Sequence, residues 1–142
     1  MDWKIEVIPV PVTDVDRAKA FYADQCGFNV DLDSTVGDDV RIVQLTPTGS
    51  GCSIMLGADI DSAPGSLRGV QIVVDDIEAA RDALIARGVN ASAVRHFDVD
   101  KGGYAEGRGG PWNSFVFFSD PDGNTWVVQE RPDASLTDTG ST

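Results

Sequence analysis

Residues 3–12 form an apolar, extended stretch in which Pro9 and Pro11 stand two positions apart. In a strand both proline nitrogens face the same side, so one ladder lacks donors there and the strand has a partly open edge. The period then changes. From Asp14, a side chain suited to capping, Val15, Ala18, Phe21 and Tyr22 recur at helical spacing, and Gly27 ends the helix. Three short apolar runs follow at 28–32, 40–45 and 52–56, separated by the turn-rich segments 34–39 and 46–51. Residues 3–57 therefore predict one β-α-β-β-β module.

After a connector at 57–67, marked by Pro64 and Gly65, the pattern begins again. Residues 69–74 read as a strand, Asp76 caps a helix running through Ala80, Leu84 and Ile85, Gly88 closes it, and 91–97 is a further strand. Placing Asp14 over Asp76 aligns Val12 with Val74, Val15 with Ile77, Asp16 with Glu78, Ala18 with Ala80 and Lys19 with Arg81. Pro47-Thr48-Gly49 then falls on Pro121-Asp122-Gly123, each a turn between the last two strands of its module. Duplication of one supersecondary unit accounts for both matches. Two such modules bury their sheets by curving around a shared interior. The expected fold is α+β, with tandem β-α-β-β-β modules at 3–57 and 68–131 forming a curved, cavity-bearing mixed sheet with helices outside. Together they make a single domain over 1–131, and the Ser-, Thr-, Asp- and Gly-rich tail at 132–142 is expected to be disordered.

Composition narrows the partners. A chain of 142 residues that is 42% hydrophobic suffices for one conventional core. Eleven Lys and Arg stand against 23 Asp and Glu, and the net charge of −12 repels nucleic acid and anionic lipid at long range. No segment approaches the ~18 apolar residues of a membrane span. Asp2, Lys4 and Glu6 are out of place in an export signal, so a cytoplasmic protein with no membrane partner is expected. Cys26 and Cys52 are then expected as thiols; Gln25 and Gly27 beside Cys26 supply nothing to lower its pKa, which favours a buried structural role.

The helix start Val12-Thr13-Asp14-Val15-Asp16-Arg17-Ala18-Lys19-Ala20-Phe21-Tyr22, its repeat Val74-Asp75-Asp76-Ile77-Glu78-Ala79-Ala80 and the turn Ser119-Asp120-Pro121-Asp122-Gly123-Asn124 carry a resemblance. Together they resemble the vicinal oxygen chelate superfamily of glyoxalases, bleomycin resistance proteins and extradiol dioxygenases, over about residues 3–131. The resemblance implies a divalent metal held by His, Gln or Glu from the first and last strand of each module. The corresponding positions here are Val7, Ser53, Gly69 and Val127, none of them an ordinary ligand. Gln71 and Gln129 lie two residues further along their strands and project to the same side, but two neutral amides make a poor metal site. Neither a metal nor another cofactor is expected. The family resemblance, the proline-marked first strand and the Phe-rich region point to a homodimer.

His96, the single histidine, is the candidate acid or base, at the mouth of the glycine-rich loop 98–112. Tyr104 and Trp112 in that loop are candidates to wall a ligand site, and Lys101 and Arg108 to meet an anion. By alternation Ser53, Met55, Gln71, Val73, Thr125 and Gln129 face the interior, while the Phe115–Phe118 run reads as core. A mainly neutral lining suits an uncharged or aromatic organic molecule. Two functions follow: a metal-independent enzyme acting on a small organic molecule, with His96 or a loop residue moving a proton, or a non-catalytic protein that sequesters an antibiotic-type ligand. The paired carboxylates of the Asp120-Pro121-Asp122-Gly123-Asn124 turn read as turn chemistry and not as an acid–base pair.

Overall fold

The two helix starts behind the repeat have nearly the same backbone. Asp14 (φ −131°, ψ 106°) and Asp76 (φ −136°, ψ 102°) are both extended. The Asp14 carboxylate accepts from the Arg17 amide at 3.1 Å, and that of Asp76 from Glu78 and Ala79 at 3.1 Å each. Each satisfies donors that the first helical turn leaves unpaired. The computed structural model describes residues 1–58 and 60–132. Apart from Pro132, the tail expected to be disordered lies outside the described residues.

The first repeat runs β1 (Val7–Pro9), α1 (Val15–Ala20), a π-helical turn (Phe21–Gln25), β2 (Asn29–Val36), β3 (Val40–Thr46) and β4 (Ser53–Gly57). Its sheet has the order β1-β4-β3-β2, with β1 parallel to β4 and the other pairs antiparallel. The proline-bearing strand is an edge, as its missing donors require. The second repeat runs β5 (Val70–Val74), α2 (Ile77–Ala86), β6 (Arg95–Asp98), β7 (Gly103–Glu106), β8 (Phe115–Ser119) and β9 (Thr125–Glu130). Its sheet has the order β5-β9-β8-β6-β7, with β5 parallel to β9. The repeat and the α+β class are as the sequence predicts. One strand is additional: the glycine-rich loop folds back as a β6–β7 hairpin that pairs His96 with Ala105 and Phe97 with Tyr104. Cys26 and Cys52 both remain thiols and are half-buried, more exposed than a core role for Cys26 requires.

The chain forms two compact units, one of Met1–Arg68 with Asp120–Asn124, the other of Gly69–Ser119 with the chain from Thr125 onward. In the first unit Val10, Ala18, Phe21, Tyr22, Val43, Leu45, Ile54 and Leu56 are buried. On its surface Arg41 and Lys19 converge on Asp33, joining the edge strand β2 to α1. The Arg41 guanidinium, then Lys19, holds the Asp33 carboxyl well below the usual carboxylate range.

The turn 120–124 packs with the first unit although it lies within the second repeat of the sequence. Asp122 Oδ1 accepts from the Thr13 amide at 3.2 Å, the Thr13 hydroxyl at 2.7 Å and Arg17 at 3.2 Å, which ties it to the start of α1. Asn124 donates to the Pro11 carbonyl at 2.9 Å and accepts from the Leu67 amide at 3.0 Å. Gly65 lies against this turn with φ +78°, and a Cβ there would stand 2.1 Å from the Asp122 carbonyl oxygen. Gly65→Ala is therefore expected to cost about 2–4 kcal/mol, through positive φ and a clash between backbones. Urea denaturation measures the loss; an unchanged midpoint would mean that the turn does not seat on Gly65.

Candidate functional site

Residues paired in a sheet share a face, so the ladders sort the side chains of the second unit. Gln71 pairs with Val127, Val73 with Gln129, and β8 sets Phe115 against Gln129 and Phe117 against Val127. Arg95 pairs with Phe115, which places Phe97 on that face, and Phe97 pairs with Tyr104. One face therefore carries Gln71, Val73, Phe97, Tyr104, Phe115, Phe117, Val127 and Gln129, together with Arg95 and Glu106 beside Phe115 and Ser119 and Thr125 at the other end. The opposite face carries Val116, Phe118, Trp126 and Val128, all buried, on the side of α2 and its buried Ile77. The Phe-rich strand is thus only half core. Val116 and Phe118 turn inward, and Phe115 and Phe117 join a partly exposed ring cluster.

Tyr104 stands at the centre of that cluster. Its ring is edge-on to Phe97 at 5.5 Å, to Phe115 at 5.7 Å and to Phe117 at 5.0 Å, while Phe115 and Phe117 stack at 6.3 Å. Edge-to-face packing fixes these rings, yet Tyr104 is 51% exposed and Val73 54%. The polar groups on this face are Gln71, which is exposed, the pair Arg95 and Glu106, Ser119 and Thr125 at its far end, and Gln129, whose amide donates to the Trp112 carbonyl at 2.8 Å. Trp112 itself has positive φ (64°) and an exposed side chain. Tyr104, Gln71 and Gln129 are thus brought onto one face, with Trp112 tied to it through its backbone. Phe97, Phe115 and Phe117 were not legible as site residues. Alternation along β8, read against Gln129 on β9, was the available signal.

His96 lies on the other face of β6, next to Phe97 in sequence and so opposite it in the sheet. Its Nδ1 is 3.0 Å from the Gly107 carbonyl, which can only accept, so the ring donates from that nitrogen. A Cβ at Gly109 would lie 2.9 Å from the His96 Cβ, so the loop 107–113 packs directly on this residue. Arg108 is likewise engaged: it pairs with Glu130 and lies 3.7 Å from Glu78, and Glu130 holds its pKa above the usual value. Glu130 also accepts from the Ile77 amide at 3.0 Å, so these charges serve the start of α2. Lys101 sits in the β6–β7 turn, its amide donating to Asp98.

In the first unit, Ser53 and Met55 lie on β4 opposite Val7 and Pro9 of β1 and Thr46 and Gln44 of β3. Ser53 is buried and its hydroxyl is 2.6 Å from that of Thr46. Val7 and Ser53 are register partners, as the two ligand positions of a metal-binding module would be. In the second unit the register sets Gln71, and not Gly69, opposite Val127. A valine, a serine, a glutamine and a valine are not a donor set for a divalent metal, and including Gln129 adds only another neutral amide. Among the described residues no group of three or more His, Cys, Asp or Glu side chains is placed to hold a metal ion. No helix among them is long and apolar enough to cross a membrane.

The comparisons with known proteins bear on the fold and the family. TnmS3, an antibiotic binding protein from Streptomyces sp. CB03234, is 32% identical with a TM-score of 0.72, over 92% of this chain and 98% of that one. A glyoxalase/bleomycin resistance protein from the same organism is 33% identical with a TM-score of 0.69, over 89% and 99% of the two chains. A member of the glyoxalase/bleomycin resistance protein/dioxygenase superfamily from Sphaerobacter thermophilus DSM 20745 is 25% identical, TM-score 0.70, over 92% and 98%. No curated protein gives a significant match. The family model described as Glyoxalase/Bleomycin resistance protein/Dioxygenase superfamily matches residues 4–128, and the chain belongs to that superfamily.

Proposed function

We propose that this chain is a non-catalytic binding protein that sequesters a small, flat organic molecule of antibiotic type, neutral or cationic. The observation that carries the reading is the cluster of Phe97, Tyr104, Phe115 and Phe117 on one partly exposed sheet face, with the Gln71 and Gln129 amides beside it. Aromatic side chains supply contact area at low entropic cost, and a few amides orient the ligand. The net charge of −12 attracts a cation and repels an anion. His96, the acid–base candidate, lies on the opposite face with one ring nitrogen committed to Gly107. The similarity to an antibiotic binding protein, at 32% identity over nearly the whole chain, points the same way. The reading includes a cytoplasmic homodimer with no nucleic acid partner; a monomeric mass by light scattering at micromolar concentration would remove the dimer.

Calorimetric titration with aromatic and basic glycopeptide antibiotics tests the proposal. A saturable stoichiometry, with the compound recovered unchanged by mass spectrometry, is the expected result. Conversion of the compound would replace binding by the enzyme reading. His96→Ala is expected to leave affinity within about twofold, because the imidazole and the ring cluster occupy opposite faces. Turnover that disappears in this variant while the melting temperature holds would restore His96 as a catalytic residue.

A further inference from the structure

Strand β2 carries a bulge: Val30 pairs with Leu45 and Leu32 with Gln44, so Asp31 is an extra residue. A bulge re-aims the inserted side chain. Here it turns the Asp31 carboxylate onto the Thr46 hydroxyl, which donates to it. The Thr46 oxygen in turn lies 2.6 Å from Ser53 Oγ. The direction of this chain is determined at its end. A carboxylate accepts, so the Thr46 proton is committed to Asp31, and Ser53 must supply the proton between the two hydroxyls. Ser53 Oγ is left with lone pairs and no proton to offer, in a side chain only 7% exposed. Among the described residues no group donates to it. It stands beside Val7 and Met55, at the position the family resemblance assigns to a metal ligand.

We infer that Ser53, polarised through Thr46 by Asp31, is an acceptor site for an O–H or N–H group of a small ligand. This rests on the reading of the chain as a small-molecule binder and adds to it, within the first unit, a point that takes compounds bearing a phenol, alcohol or ammonium donor. An oxyanion is excluded at this point, since it would meet an acceptor backed by a carboxylate. The relay thus offers a different chemistry from the family's metal, which takes an electron-rich oxygen where Ser53 takes a proton donor.

Phenol and its methyl ether, anisole, are matched probes differing in the one hydrogen. Both are titrated into the full chain while backbone amides are followed by NMR. Phenol is expected to shift the Val7, Ser53 and Met55 amides and to bind about fivefold more tightly there than anisole. Ser53→Ala should abolish that preference. Asp31→Asn, whose amide can also donate, should reduce it to within about twofold. Equal affinities for the two probes, or a preference that survives Ser53→Ala, would overturn the acceptor site. Shifts confined to Phe115, Phe117 and Val127 with either probe would overturn it too, yet leave the binding reading standing. Absence of any shift at millimolar probe would likewise overturn the acceptor site, while the binding reading stands or falls on the antibiotic titration.

Discussion

Replacing Asp120 with Ala is expected to destabilise the protein by about 3 kcal/mol or more, and so to lower its melting temperature by roughly 10 °C. The residue is buried, and both carboxylate oxygens are used twice. Oδ1 accepts from the amides of Asp122 at 2.9 Å and Asn124 at 3.0 Å, and Oδ2 from the Tyr22 hydroxyl at 2.7 Å and the Asn124 side chain at 2.8 Å. Truncation leaves these donors facing an apolar methyl, and burying unsatisfied donors costs more than the bonds themselves are worth. Tyr22→Phe, which removes one donor along with its need for a partner, should cost only about 1 kcal/mol. Thermal and urea denaturation of both variants measure this. A melting temperature within about 1 °C of the parent for Asp120→Ala, together with lost ligand binding, would mean that Asp120 is a functional carboxylate and not the centre of a structural turn.

The second large effect is expected in binding. Tyr104→Ala should weaken the affinity for an aromatic antibiotic about tenfold or more, because the ring meets three neighbours edge-on and still exposes half its surface. Loss of this ring also frees Phe97, Phe115 and Phe117 to rotate, so the remaining face is less preorganised. Tyr104→Phe keeps the ring and should bind within about threefold of the parent, unless the hydroxyl itself meets the ligand. Stability should fall by about 1–2 kcal/mol in Tyr104→Ala, since the half-buried ring loses three edge-on contacts, and hardly at all in Tyr104→Phe. Calorimetry and thermal denaturation separate the two effects. An unchanged affinity in Tyr104→Ala, with the fold intact, would move the ligand away from the ring cluster.

The candidate site was legible in part. Gln71, Gln129 and Tyr104 share a face, as alternation and loop position suggested, and Ser53 lies on β4 opposite Val7, at the position that the family resemblance implies for a ligand. Phe115 and Phe117 were misread as core because an apolar run of four hides its alternation. The polar neighbours Gln129 and Arg95, both paired with Phe115, reveal which side of β8 is half-exposed. Asp31 gave no signal at all, since a bulge depends on the register of two strands and a single strand's sequence does not record it.

By itself the sequence determined the features whose hydrogen bonds close within a few residues. Asp14 and Asp76 satisfy amides two or three positions ahead, Gly27 and Gly88 adopt positive φ, and Asp120 binds the amides of its own turn. These local solutions, repeated at matching intervals, were enough to specify the duplicated module and its family. Tertiary structure decided what depends on distant partners. It folded the glycine-rich loop into a hairpin, because Phe97 and Tyr104 pack ring on ring only when β6 and β7 pair. It placed the turn 120–124 against Pro11, Thr13 and Tyr22, about a hundred residues away in sequence. It also set His96 opposite the ring cluster, because the face a side chain takes follows from the register of its strand, and register is settled only when the neighbouring strands are in place.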